Sequence, residues 1–197
     1  MQKNDPRNEI SLPTAQAVKA EIKREKYKQL DKKVLKSTIY ALVIVAAVAV
    51  LIATLLLPVV QITGTSMEPS LVEGNIVLLV KYEKPQRGDL YAFYYSNKIL
   101  IKRVIALPGD FVEIDVDGTV YVNGEMLNEP YVTEKAFGEC DIEFPYQVPE
   151  NQYFMMGDKR ETSIDSRSTV IGCVGKDQLV GRIFFRIWPF EDIGFIG

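Results

Sequence analysis

The chain contains no histidine among its 197 residues, and it has only two cysteines. Without histidine it cannot form a Ser-His-Asp triad or complete a histidine-containing zinc site. Cys140 and Cys173 do not stand in a spacing typical of metal ligands, so metalloprotease chemistry is excluded. Any serine nucleophile in this chain must therefore be activated by a base other than imidazole.

Charge is also absent from one long segment, because no charged residue occurs from Ser37 to Met67. Within it, the apolar stretch Ile39 to Val60 would span about 33 Å as a helix, which is enough to cross a bilayer once. The sequence therefore predicts a basic helical segment over 1–37, a transmembrane helix over 38–60, and a separate domain over 61–197. A cleaved signal peptide is the alternative, but the apolar core is too long for one.

The charges on the two sides of this segment have opposite net sign. Residues 1–37 hold ten Lys and Arg against five Asp and Glu, a net charge of +5, and the rest of the chain holds 13 against 21, a net charge of -8. The positive-inside rule then predicts a single-pass protein of the cell membrane, with a cytosolic N-terminus and an extracytoplasmic C-terminal domain. The basic segment is expected to contact anionic lipids of the bilayer. An acidic exported domain argues against nucleic acid as a partner.

The exported region is predicted to be mainly β, with short strands rich in β-branched and aromatic residues. We expect strands within 75–82, 89–96, 98–107, 110–125, 152–157 and 178–188. Asp117-Gly118 predicts a hairpin with a primed turn. The stretch 128–150 has three prolines and weak periodicity, which predicts an irregular excursion from the main sheet. Both cysteines lie on the exported side, where a disulfide is permitted, and the sequence leaves open whether they form one.

Ser66 lies in the turn "GTSMEPSL", where it is either a solvated hydroxyl or a nucleophile. In a chain without histidine, a lysine can activate a serine if burial keeps its amine neutral. Lys102, in "KILIKRVIALPGD", shares one strand face with Leu100 and Val104, so it is a charge between apolar neighbours. On this strand alone we favour the alternative, a lysine at a sheet edge whose amine reaches solvent.

Four motifs favour the catalytic interpretation of Ser66 and Lys102. They are "GTSMEPSL", "IKRVIALPGD", "MGDKRETSIDSR" and "LVGRIFFRIWP", and they occur in this order after one membrane segment. Together they resemble the successive boxes of bacterial type I signal peptidases, the Ser/Lys proteases that release exported proteins from the membrane. The resemblance runs from about Gln61 to Pro189. It implies an antiparallel β-sheet catalytic domain of the signal-peptidase type, in the compact single-anchor form, with a second subdomain reduced to about 110–150. It implies a mechanism that needs no cofactor.

The resemblance also implies roles for individual residues. Ser66 would be the nucleophile and Lys102 the general base. Ser163 would orient the amine of Lys102, while Asp165 and Arg167 would form a supporting ion pair. The sequence departs from the usual third box at Lys159, Glu161 and Thr162, which we interpret as changes on a loop surface.

Gly64 is a further departure, because many longer members have a hydroxyl residue there that helps the main-chain N–H of Ser66 to hold the oxyanion. Two explanations stay open at this stage. Either the turn or a passing substrate strand requires glycine, or the oxyanion hole lacks a donor that serine would restore. We favour the missing hydroxyl, so that Gly64→Ser is expected to keep or raise turnover.

The substrate implied by the resemblance is a pre-protein whose signal peptide ends in small residues at the first and third positions before the cut, the A-x-A pattern. A peptide that pairs with a strand edge alternates its side chains, which explains why the second position is not read. Ile62 and Ile101 are candidates for the walls of these pockets, with plain core residues as the equal alternative.

Two other classes of protein share part of this pattern. A self-cleaving repressor also uses a Ser/Lys pair, but it would carry a DNA-binding module where this chain has a membrane segment. A membrane-tethered assembly factor without catalytic activity is the stronger alternative, although such a protein would be expected to have lost Ser66 or Lys102, and both are present.

Overall fold

A computed structural model describes residues 14–81 and 83–196, which divide between Ile52 and Ala53 into two compact units. Residues 1–13 of the predicted cytosolic segment lie outside the described residues, as does Tyr82 at the end of a predicted strand. The predicted division into cytosolic, membrane and exported parts stays a prediction.

The N-terminal region forms one helix, α1, from Ala15–Leu56. Its Val18–Leu55 portion is long enough to cross a membrane and contains an 18-residue window with a mean hydropathy of 2.7. The helix ends four residues before the predicted boundary at Val60. Pro58 explains the difference, because a proline lacks an amide hydrogen and disfavours helical backbone at the residue before it. Val59 and Val60, predicted as helical, instead begin the first strand.

The main sheet is antiparallel and contains eight strands. They are β1 (Val59–Gln61), β2 (Ile76–Val80), β3 (Leu90–Tyr95), β4 (Lys98–Ala106), β9 (Gln152–Met156), β10 (Val174–Gly175), β11 (Leu179–Trp188) and β12 (Gly194–Phe195). Their order is β1-β2-β11-β3-β4-β9-β10, and β12 pairs with β11. The mainly β fold predicted from the sequence is confirmed, and the long strands fall inside the predicted ranges.

A smaller antiparallel sheet is built from β5 (Phe111–Ile114), β6 (Val120–Val122), β7 (Glu125–Met126) and β8 (Tyr146–Gln147), in the order β7-β6-β5-β8. Between β7 and β8 the chain has no regular strand, as the prolines of this stretch predicted. Buried Val112, Val120 and Val122 pack with Phe154 of β9, so the small sheet shares a core with the main one.

The primed turn lies one hairpin later than predicted. At Asp117-Gly118 only the glycine has a positive φ, of 85°, whereas a type I′ turn needs positive φ at both central residues. The two-residue turn between β6 and β7 meets that requirement, with φ of 55° at Asn123 and 80° at Gly124. Asn-Gly is a strong hairpin signal that the sequence reading missed.

Candidate active site

Ser66 lies in the turn that follows β1, at one end of a cleft of about 490 Å³. One wall of the cleft comes from the chain between Val60 and Met67, and the other comes from the first half of β4, Lys98 to Lys102. The turn is closed by a hydrogen bond from the Glu68 N–H to the Thr65 carbonyl at 3.0 Å. Ser66 and Lys102, 36 positions apart in the sequence, therefore line the same cleft.

Lys102 is buried, with 4% of its surface exposed. Its Nζ donates a hydrogen bond of 2.8 Å to Ser163 Oγ. Burial lowers the pKa of Lys102 from 10.5 to about 8, because the interior disfavours the charged amine. Asp165 raises this pKa and Arg167 lowers it, so the two charges oppose each other and burial dominates. The interpretation favoured from the strand alone, an amine that reaches solvent, is wrong.

Ser163 is held against the cleft by close packing around Gly157. A Cβ at Gly157 would collide with the Ser163 hydroxyl and would lie 2.6 Å from the Ser66 carbonyl oxygen. Glycine therefore allows the Ser163 loop to approach the Ser66 turn. The Lys159 N–H also donates to the Ser66 carbonyl, at 3.1 Å, which ties the two segments together.

Asp165 and Arg167 form a fully buried ion pair, with two N–O distances of 2.9 Å. Arg167 also donates to the carbonyls of Arg160 and Ser163, at 2.9 and 3.2 Å. Asp165 accepts from the Gly157 N–H at 3.0 Å. The pair thus fixes the backbone at both ends of the loop that carries Ser163. Removal of one partner of such a pair strongly destabilises the fold, because the other charge is left buried without compensation.

The sequence assigned no role to Arg103. The structure shows that its guanidinium joins several segments around the site. Its guanidinium makes a two-point contact with Asp158, at 2.8 and 2.6 Å, and donates to the Gly88 carbonyl at 2.7 Å. It also lies 3.8 Å from the ring centre of Tyr131. These contacts join β4, immediately after Lys102, to the loop after β9 and to the irregular stretch.

A second buried arginine, Arg160, also joins the irregular stretch to the loop after β9. Arg160 binds both carboxylate oxygens of Glu129 and donates to the Gly157 carbonyl at 3.0 Å. Sequence reasoning missed this pair and the Arg103 pair. Asp158 and Arg160 lie in the third motif, next to the departures at Lys159 and Glu161 that we interpreted as changes on a loop surface, and no local pattern indicated their partners.

Ile62 and Ile101 both line the cleft, and both also pack in one hydrophobic cluster. Ile62 is 3% exposed and Ile101 is half-buried. Ile62 comes from the segment after β1 and Ile101 from β4, the two segments that line the cleft. Their assignment as pocket walls stays a prediction.

Gly64 has a φ of +86°, and no atom lies within 4 Å of where its Cβ would be. A positive φ strains residues other than glycine even where space is available. This conformation favours the explanation that the turn requires glycine. It argues against the explanation favoured from the sequence, that the oxyanion hole lacks a hydroxyl donor at this position.

The two cysteines are both free thiols. Burial raises the pKa of the Cys173 thiol to about 11, which makes it a poor nucleophile at neutral pH. Among the described residues, no group of three His, Cys, Asp or Glu side chains is placed to hold a metal ion.

The family model and the sequence relatives that match this chain are all signal peptidases. The family model for signal peptidase, peptidase S26, matches residues 35–188. Signal peptidase I of Bacillus amyloliquefaciens is 33% identical over 183 residues, covering 87% of this chain and 98% of the relative. Signal peptidase IB of Staphylococcus aureus is 31% identical over 181 residues, covering 82% of this chain and 93% of the relative.

A solved structure of a signal peptidase I from Enterococcus faecalis V583 is 33% identical, with a TM-score of 0.44, and the match covers 51% of this chain and 97% of that one. The family resemblance carried by the four motifs is confirmed by the family model and the sequence relatives. They also favour a peptidase over an assembly factor without activity. The chain belongs to peptidase S26, the signal peptidase family.

Proposed function

We propose that this protein is a membrane-bound serine endopeptidase that removes signal peptides from exported pre-proteins, with Ser66 as nucleophile and Lys102 as general base. The observation that carries the proposal is the environment of Lys102. Its amine is buried, hydrogen-bonded to a neutral hydroxyl, and located in the same cleft as Ser66. A buried amine without a directly paired carboxylate is suited to lose its proton and then act as a base.

The lowered pKa of Lys102 increases the fraction of molecules in which its amine is neutral and can act as a base. A lysine with the usual pKa is neutral in well under one molecule in about a thousand at pH 7. With a pKa of about 8, as burial gives Lys102, about one molecule in ten is neutral at that pH. The site therefore increases the population of reactive base by more than about a hundredfold before any other catalytic factor operates.

The reaction proceeds through two acyl transfers. Ser66 Oγ attacks the scissile carbonyl carbon while Lys102 Nζ accepts the hydroxyl proton, and the resulting ammonium then protonates the leaving amine. An acyl-enzyme ester on Ser66 remains. Lys102, neutral again, takes a proton from a water molecule as its oxygen attacks the ester, and the resulting ammonium protonates Ser66 Oγ as the bond to the signal peptide breaks. Each step uses side chains of this chain, so the proposed mechanism needs no cofactor.

Ser163 is the positioning residue for the amine. Because Lys102 Nζ donates to Ser163 Oγ, one N–H is held and the lone pair of the neutral amine is directed elsewhere. Ser163→Ala is expected to reduce kcat by about ten- to a thousandfold, the range for loss of an orienting partner. Ser163→Thr, which keeps the hydroxyl, is the matched variant. Equal activity of wild type and Ser163→Ala in pre-protein cleavage would remove this role.

The main-chain N–H of Ser66 is the first donor to the oxyanion in this proposal. It donates no hydrogen bond to any described residue, so it is available to the scissile oxygen. Transition-state stabilisation by such a donor contributes about a hundred- to a thousandfold in turnover in other acyl-transfer sites. The Ser66 turn is therefore expected to be sensitive to any change in its backbone.

Gly64 tests that expectation. Because its φ is +86°, both Gly64→Ala and Gly64→Ser should strain the turn and lower the rate of pre-protein cleavage to a similar extent. The two purified variants are compared with wild type under identical conditions. Serine at or above the wild-type rate, with alanine below serine, would instead support a hydroxyl donor at this position.

The shape of the cleft supports an extended substrate. β4 pairs with β3 along its whole first half, but among the described residues no strand pairs with Lys98 to Lys102 on the opposite edge. A peptide that added to this edge would point alternate side chains into the cleft. Ile62 and Ile101 would then restrict the first and third residues before the cut to small side chains.

The membrane assignment rests on the apolar helix and on the charge difference across it. A net charge of +5 over residues 1–37, N-terminal to the uncharged part of α1, and of -8 over residues 38–197 favours a cytosolic N-terminus and an extracytoplasmic active site. The bilayer and the signal peptides of pre-proteins are the proposed partners, and the acidic domain is unsuited to nucleic acid.

Cleavage of a purified pre-protein by the full chain in detergent is the experiment that tests this function. We expect one cut, after a small residue, identified by the N-terminal sequence of the product. The matched control is the same pre-protein with glutamine in place of the small residue before the cut, which should be resistant. No cleavage of the first substrate, or equal cleavage of both, would contradict the proposal.

A further inference from the structure

A second cavity, of about 290 Å³, adjoins the Ser66 turn. Glu68 and Pro69, which follow the nucleophile in sequence, form one side. The other sides come from Thr133 and Glu134 of the irregular stretch and from 159–161 of the loop after β9. The Lys159 N–H donates to the Ser66 carbonyl at 3.1 Å, so a residue that lines this cavity also contacts the main chain of the nucleophile.

The cavity differs from the cleft in its charge. Arg160 contributes no free charge because its guanidinium is buried against Glu129. Lys159 Nζ is paired with Glu68 at 2.9 Å. Glu134 and Glu161 are exposed, and neither forms an ion pair with any described residue. The lining therefore carries two carboxylates that are not neutralised within it.

The two cavities share no lining residue, but their linings are adjacent in the chain, since Ser66 and Met67 line the cleft and Glu68 and Pro69 line the second cavity. The cleft is lined by Ile62, Ile101 and other apolar side chains, which suit the small residues at the end of a signal peptide. A peptide bound across Ser66 must continue past the scissile bond, because the mature chain is still attached at that stage. The second cavity, whose lining begins two residues after the nucleophile, is available for that continuation.

We propose that this cavity is the subsite for the residues that follow the scissile bond, and that Glu134 and Glu161 make it favour a lysine or arginine there. This inference rests on the proposed nucleophile, Ser66. It assigns a function to the third-box departure at Glu161, which was attributed to the loop surface from the sequence. Such a subsite selects among pre-proteins by the first residues of the mature chain.

Peptide cleavage by the full chain in detergent tests the proposal. All substrates share one A-x-A sequence before the cut and serine at the first four positions after it, with a single lysine or glutamate placed at each position in turn. We expect kcat/KM to be about three- to tenfold higher for lysine than for glutamate at one or two positions, as for partly exposed ion pairs. The ratio should fall towards one in about 0.5 M salt, because salt screens exposed charges.

The variant Glu134→Lys/Glu161→Lys is expected to reverse the preference, so that the glutamate peptide becomes the better substrate. Glu143→Lys is the matched control, since Glu143 is also an exposed loop carboxylate and lies outside both cavities. It should leave the ratio unchanged. Circular dichroism checks that the variants fold, and the salt dependence of the wild-type ratio is a second test that needs no variant.

Cleavage at similar rates for lysine and glutamate at all four positions would overturn the subsite and leave the proposed peptidase intact. The same conclusion would follow if the double variant kept the wild-type ratio, or if the wild-type ratio did not respond to salt. Failure of the proposed function has a different result, because then no peptide would be cleaved by the wild-type protein, and both proposals would fall.

Discussion

Ser66→Ala and Lys102→Ala are each expected to abolish pre-protein cleavage while the protein stays folded. Nucleophile and base act as one unit, so removal of either eliminates almost the whole chemical contribution, and the double variant should be no slower than the single ones. Neither change breaks an ion pair. Lys102→Ala removes one hydrogen bond to Ser163 and also removes a buried amine whose charged form is unfavourable.

Cleavage rates of the purified variants, with circular dichroism to confirm folding, provide the measurement. Lys84→Ala is the matched control, because Lys84 is exposed and lies outside the cleft. It should cleave at the wild-type rate. If Ser66→Ala or Lys102→Ala kept more than about a hundredth of wild-type turnover, the Ser/Lys assignment would be wrong.

Asp165→Asn is expected to destabilise the fold by about 3 to 5 kcal/mol, because it leaves the charge of Arg167 buried without its partner. The loss should appear as a clear fall in Tm and in the yield of folded protein. Asp192→Asn is the matched control: its carboxylate is 61% exposed and lies 3.6 Å from Arg186, so its loss should change stability by less than about 1 kcal/mol.

Asp165→Asn should favour catalysis in the molecules that stay folded, although it destabilises the fold. Asp165 raises the pKa of Lys102, and its removal with Arg167 still present should lower that pKa further. The folded fraction of Asp165→Asn should therefore retain neutral base at lower pH than wild type does. A variant with wild-type Tm and wild-type activity would show that the ion pair supports neither the fold nor the site.

Local sequence predicted the strands well and their arrangement poorly. β4 was expected over 98–107 and is observed at Lys98–Ala106, because its β-branched residues favour extended backbone and the following Pro108-Gly109 favours a turn. The position of β11 between β2 and β3 was not predicted. That pairing brings Arg182 beside Val80, about a hundred residues earlier, and no local pattern encodes it.

The site shows a similar division. The roles proposed for Ser66 and Lys102 followed from the lack of histidine together with the four motifs, and the burial of Lys102 became visible only in the fold. The sequence did not identify the partners of Arg103 and Arg160, because their acceptors, Asp158 and Glu129, lie 55 and 31 positions away. A buried arginine is identified by its partner, and that partner is supplied by tertiary structure.

The central claim is that the neutral amine of Lys102 takes the proton of Ser66, and the pH dependence of kcat/KM tests it most directly. Since the base must be deprotonated and its pKa is about 8, the rate should rise about tenfold from pH 6 to pH 7, reach half its maximum near pH 8 and level off above about pH 9. A profile that is flat over this range, or one that still rises tenfold per unit above about pH 9.5, would contradict the assignment of a buried Lys102 as the base.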